Sequence, residues 1–384
     1  MIARELFNDE HDMFRDTVRR FLEREVQPHY AGWEKAGIVP REVWLAAGSL
    51  GLLCPTAPVE YGGGGGDFLF SAIVTEEMAR AGVTAPAFYL HSDIVAPYLV
   101  HHGTEEQKRR YLPRMCTGEV VSALGMSEPS GGSDVKNLRT TAELDGEHYV
   151  VNGQKVFITN GHSADLLVLA CRTGGVPGAR GVSLLLVECD SPGFHRGRRL
   201  EKLGCKAQDT TELFFDGLRV PVGNLLGDEG RGFAVLMQEL AQERLIQAIR
   251  AVTSCEAALE WTIDYVQKRE MFDQTLADFQ NTQFVLAQLH SEVFAQRVFL
   301  DRCLALHVSG RLDAVDAAKL KLVTTQLQGR VMDECLQLFG GWGYMWEYPI
   351  ARAFADARMS RVGGGAIEVM KQIVGQSLLK QSRS

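Results

Sequence analysis

What this sequence does not contain narrows its chemistry first. Its eight cysteines stand singly at 54, 116, 171, 189, 205, 255, 303 and 335, with no Cys-x-x-Cys pair, and there is no His-Glu-x-x-His segment. A zinc site, a redox dithiol and a disulfide framework are therefore not expected, and the thiols read as core filler in a reducing compartment. No apolar run approaches the length of a membrane span. The opening residues, MIARELFNDEHD, reach charge within four positions and lack the apolar core of a secretory signal, so a cytoplasmic location is expected. The net charge is −8 and no basic cluster stands out, which argues against nucleic acid as a partner. His101 and His102 are adjacent, but neighbours on a helix are expected to point apart, so no metal is expected there.

What is present is divided by period. At 384 residues the chain is long enough for two or three cores. Residues 1–120 read as a helical domain: Phe14, Val18, Phe21, Leu22 and Val26 recur at helical spacing, further helices are expected at 67–81 and 84–100, and Thr104 with Gln107 forms a helix-start box. The five glycines at 62–66 lack the Gly-Lys-Ser/Thr ending of a phosphate loop and read as a turn. Residues 121–230 read as a small antiparallel β barrel or sandwich, with Asp145-Gly146, Asn152-Gly153 and Asp216-Gly217 as hairpin signals. Residues 231–384 read as a four-helix bundle, with helices at 233–265, 280–309, 313–339 and 366–380. A β unit between two helical blocks creates junction clefts of the kind where ligands bind.

Two stretches carry candidate chemistry. Residues 123–134 (ALGMSEPSGGSD) offer backbone N–H groups and small hydroxyls without bulky side chains, which suits a flat anionic ligand. In residues 155–160 (KVFITN), Phe157 and Thr159 are two apart and on a strand would share one face, a ring and a hydroxyl for a planar ligand. Local pattern alone favours a surface loop and a packed strand.

These stretches, with KAQDTTELFF at 206–215, QERL at 242–245 and QLFGGWGYMWEY at 337–348, occur in an order and spacing that resemble the acyl-CoA dehydrogenase family, nearest its long-chain type, over nearly the whole chain. The resemblance implies an α–β–α fold, FAD as cofactor, and oxidation of an acyl-CoA thioester to a trans-2-enoyl-CoA. It implies electron-transfer flavoprotein as acceptor and a homotetramer built as a dimer of dimers. By resemblance, Leu124, Met126, Ser127, Ser133, Phe157 and Thr159 line the flavin and its pyrophosphate. Arg269, Gln280, Gln337 and Gly341 match residues that contact the FAD of a neighbouring subunit. Ser133, Arg244, Gly364 and Gly365 match the substrate side, Gly364 through its backbone N–H.

Many members carry the catalytic base in a late Glu-Gly-Thr stretch. Here the matching residues are Gly364, Gly365 and Ala366, which offer no base. The long-chain and isovaleryl types place a Glu in the motif that Gln242-Glu243-Arg244-Leu245 matches, so Glu243 is the expected base. Glu243 shares an apolar stripe with Leu236, Leu240 and Ile246, which predicts burial and a raised pKa. The alternative for Glu243 is an exposed side chain paired with Arg244 or Arg250. The altered segment 363–367 leaves acyl length, branching and ring content open. An oxygen-using flavin oxidase or monooxygenase and a non-catalytic thioester-binding protein are the competing functions.

Overall fold

The computed structural model describes residues 4–381. Six α-helices open the chain: α1 (Asp9–Phe21), α2 (Tyr30–Ala36), α3 (Arg41–Ser49), α4 (Phe68–Arg80), α5 (Ala96–His102) and α6 (Glu105–Cys116). The helix expected over 84–100 starts later, as a π-helical turn at Leu90–Val95 that runs into α5. The box at α6 is formed: Thr104 accepts from Gln107 N, and the Gln107 side chain accepts from Thr104 N. Val18, Phe21, Trp44, Leu53, Ile73 and Phe88 pack together as this block's core.

The middle of the chain forms one eight-stranded sheet. Its strands are β1 (Ser122–Gly125), β2 (Thr141–Asp145), β3 (His148–Thr159), β4 (Leu166–Arg172), β5 (Val182–Glu188), β6 (Phe194–Arg199), β7 (Thr210–Pro221) and β8 (Leu225–Leu226). The order is β6-β7-β3-β2-β4-β5-β8, with β1 beside β4. Most pairings are antiparallel as expected, but β1 runs parallel to β4 and β2 touches β4 in parallel, so the sheet is mixed. Asp145-Gly146 turns the β2–β3 hairpin. Asn152-Gly153 and Asp216-Gly217 do not turn hairpins. They lie inside β3 and β7 and form one bulge, in which the register slips after Val151↔Leu218 and Gly217 N donates to Asn152 Oδ1 at 2.9 Å. A glycine at positive φ serves a bulge as readily as a turn, and sequence does not separate the two.

The last block is built on α7 (Gly232–Lys268), α8 (Gln280–Val308), α9 (Ala314–Phe339) and α11 (Ile367–Gln381), with α10 (Pro349–Ala357) as an additional short helix. A two-strand ribbon, β9 (Glu270–Met271) and β10 (Gln274–Thr275), joins α7 to α8. Buried ions fasten this bundle to the first block. Glu76 on α4 accepts from Arg297 Nη1 on α8 at 2.9 Å, from Arg4 Nη2 at 2.8 Å and from Arg15 Nη1 at 3.0 Å. All eight cysteines are buried and unpaired, as their spacing implied.

Candidate active site

The glycine-serine loop and strand β3 are brought together by a buried ion pair. Lys155 Nζ lies 2.8 Å from Glu128 Oε1 and donates to Met126 O at 3.0 Å. Glu128 also accepts from the backbone N–H of Arg139 and Thr140. Burial alone would raise its pKa, but Lys155 and the two amides hold it at about 2. Val156 N donates to Ser127 O, which closes the seam. Leu124 is buried, Met126, Ser127 and Thr159 are half-buried, and Ser133 is exposed. Phe157 stands at φ +61° in a bulge of the β3–β7 ladder and is 67% exposed. The bulge, absent from a simple alternation of faces, is what turns this ring outward between buried Val156 and Ile158. The loop is also open: a methyl added at Gly131 would meet nothing within 4 Å. An exposed ring, two accessible hydroxyls and an uncrowded loop fit a flat, hydrogen-bonding cofactor such as a flavin.

Glu243 projects from α7 into the interior. Its exposure is 4%, and its only hydrogen bond among the described residues is from Tyr98 Oη on α5, at 3.1 Å from Oε1. Burial raises its pKa to about 7; Tyr98 and then Arg244 oppose the rise, and Glu239 adds to it. The exposed ion-paired alternative does not hold, since among the described residues no cation nitrogen comes within 4.0 Å. Tyr98, Leu124 and Leu236 belong to one buried cluster, with Met126 packed against it, so the loop and the face of α7 that carries Glu243 adjoin.

Gly363, Gly364 and Gly365 pass beside the same helix. Gly364 is at φ +63°, and a Cβ there would lie 3.0 Å from Gln247 Cγ, one turn along α7 from Glu243. Buried Lys321 on α9 donates to Gly365 O and so pins this segment. Arg244 is 5% exposed, donates to Ala314 O at 3.3 Å, and leaves its Nε without a partner. An orphaned guanidinium nitrogen next to Glu243 in the chain suits a polar ligand group.

Other expected residues lie apart from this group. Arg269, Gln280, Gln337 and Gly341 are all exposed. They sit at one end of the bundle, where Tyr265 of α7 stacks on Phe339 of α9 at 4.2 Å, and exposed Phe272, Phe284, Trp342 and Tyr344 neighbour them in sequence. His101 and His102 do not point apart as expected. At the last turn of α5, His101 Nδ1 and His102 Nε2 both reach Glu239 Oε1, at 2.9 and 3.2 Å. Tyr98, Lys155 and Lys321 were not singled out from sequence. Nothing local marks them, because each partner lies at least 27 residues away.

The chain belongs to the acyl-CoA dehydrogenase family. Residues 8–119 match the model of its N-terminal domain, 123–218 that of its middle domain and 230–379 that of its C-terminal domain. The activity class is acyl-CoA dehydrogenation. Among curated relatives, the mouse mitochondrial long-chain specific acyl-CoA dehydrogenase is 47% identical over 99% of this chain and 89% of its own length. An acyl-CoA dehydrogenase from Geobacillus kaustophilus has a solved structure that superposes with a TM-score of 0.96 at 46% identity, covering 98% of this chain and 100% of that one. An acyl-CoA dehydrogenase from Bacillus anthracis complexed with FAD gives a TM-score of 0.93 at 31% identity, covering 100% of this chain and 68% of that one.

Proposed function

We propose that this chain binds FAD and converts a saturated acyl-CoA to its trans-2-enoyl-CoA, with Glu243 as the base that removes the α-proton. Bound FAD would supply the acceptor for the β-hydride. Leu124, Met126, Ser127, Ser133, Phe157 and Thr159 would hold it, Phe157 against the ring and Thr159 at its edge. Arg244 and the backbone of Gly364 and Gly365 would hold the thioester. A thioester α-proton is weakly acidic, so the base must be strong and kept from water. The observation that carries this reading is Glu243 itself: a buried carboxyl, raised to about 7, with one hydroxyl partner and no cation in direct contact among the described residues, beside the open loop.

Arg269, Gln280, Gln337 and Gly341 would reach the cofactor of a second copy in a tetramer; the exposed aromatic rings around them support a protein interface there. Electron-transfer flavoprotein is the proposed acceptor, and the cytoplasm the proposed compartment. Among the described residues no helix is long and apolar enough to cross a membrane.

The test is anaerobic mixing of FAD-loaded protein with acyl-CoA esters. Bleaching of the flavin by at least one of a series of short-, medium- and long-chain esters is expected, and the Glu243→Gln variant should keep its flavin while bleaching about 10²–10⁴-fold more slowly. Normal bleaching by that variant would place the base elsewhere.

A further inference from the structure

Polar residues recur down one face of α7. Glu243, Gln247, Arg250 and Ser254 follow one another on α7 at spacings of four, three and four, which aligns them. Beyond Glu243, the other three line a cavity of about 60 Å³, closed by Met78 of α4, Tyr89 and Asp356 of α10. The dehydrogenation reading has no use for a charged group here.

Arg250 is the unusual member. Its guanidinium carbon lies 4.3 Å from the Tyr89 ring centroid, and its Nη1 donates to Gln247 Oε1 at 3.5 Å. Among the described residues no carboxylate oxygen comes within 4.0 Å of its nitrogens. Asp356, which also lines the cavity, accepts from the backbone N–H of Cys205 and acts on Arg250 at longer range. A guanidinium that faces a cavity with no carboxylate in direct contact, and with Asp356 acting on it only at longer range, has more N–H donors than these partners use and can take a further acceptor.

We propose that this cavity is the far end of the acyl site, and that Arg250 receives an oxygen function, carboxylate or hydroxyl, at the end of the acyl chain remote from the thioester. The inference rests on the dehydrogenase reading for the position of the thioester at Glu243. From Glu243 to Arg250 is seven residues of helix, about 10 Å along the axis. That span suits a chain of medium length. A methyl end would bury the guanidinium against hydrocarbon, whereas an oxygen accepts from it directly. A hydroxyl end could also donate to Asp356. A cavity of this size also admits a water or two, and that occupant would leave no preference among chain ends.

The experiment compares octanoyl-CoA, ω-hydroxyoctanoyl-CoA and suberyl-CoA on FAD-loaded protein, by kcat/KM and by calorimetric affinity. One of the oxygen-ended esters should exceed octanoyl-CoA by about ten- to a hundredfold, the range of a hydrogen bond to a charged group. The ratio should collapse in Arg250→Met and survive in part in Arg250→Lys. Because it is a ratio within one protein, loss of folded material does not change it. Equal or better use of octanoyl-CoA by the wild type, or an unchanged ratio in Arg250→Met, overturns the inference. Bleaching by octanoyl-CoA without any gain from oxygen defeats the inference alone. Preferential binding of an oxygen-ended ester without bleaching by any ester supports it and defeats the dehydrogenase reading instead.

Discussion

At the scale of single residues, the site is a problem in desolvation. A carboxyl in water titrates far too low to hold a proton taken from carbon; burial is what raises Glu243 to about 7. Tyr98 works against that rise by donating to the ionised form. The base is active when ionised, so kcat/KM should fall as pH drops through about 7. Tyr98→Phe removes the donor and should move this acid limb to higher pH by about one to two units, because a hydrogen bond to a charge is worth about 1.5–3 kcal/mol. A pH–rate profile that does not move would separate Tyr98 from the base. The apolar stripe around Glu243 could be read from its neighbours on the helix. Tyr98 could not, being 145 residues away in the chain.

At the scale of elements, the loop at 126–134 has little of its own to hold it. Its shape depends on β3 through the Glu128–Lys155 pair, in which both side chains are nearly inaccessible, 3% and 0% exposed. Removing one partner of such a pair leaves an uncompensated buried charge and costs about 3–5 kcal/mol. Lys155→Met should therefore lower stability to that extent in urea unfolding and weaken FAD retention more than it weakens the helical blocks; flavin released on gel filtration is the measure. The sequence located both stretches but not their clamp, since Glu128 there reads as a turn residue before Pro129. The bulges are a similar case. Asn152-Gly153 and Asp216-Gly217 carry turn chemistry, yet each is continued by a strand, and only the pairing of β3 with β7 decides that they face each other.

At the scale of the whole molecule, the first block is fastened to the bundle by charge as well as by apolar packing. Burial alone would raise Glu76, but Arg297, Arg4 and Arg15 outweigh it and hold it at about 2. A carboxyl depressed on folding contributes stability above its unfolded pKa, near 4.5, and loses it as pH falls towards 2. Acid unfolding should therefore steepen in that window. Arg297→Leu should cost about 3–5 kcal/mol and flatten the window, both visible in urea melts repeated across pH. If melts at pH 7 and pH 3 lose equal stability in the variant and the wild type, the network is not what docks the blocks.

The sequence by itself determined the order α–β–α, the family and the candidate base, because hydrophobic period, punctuation and motif spacing are local properties of the chain. Tertiary structure alone decided which distant partners meet: Tyr98 with Glu243, Lys155 with Glu128, Arg297 with Glu76, and Arg250 with Tyr89. The reason is physical. The free energy of a buried polar group depends on what excludes water from it and what it faces, and both are supplied by segments far away in the chain.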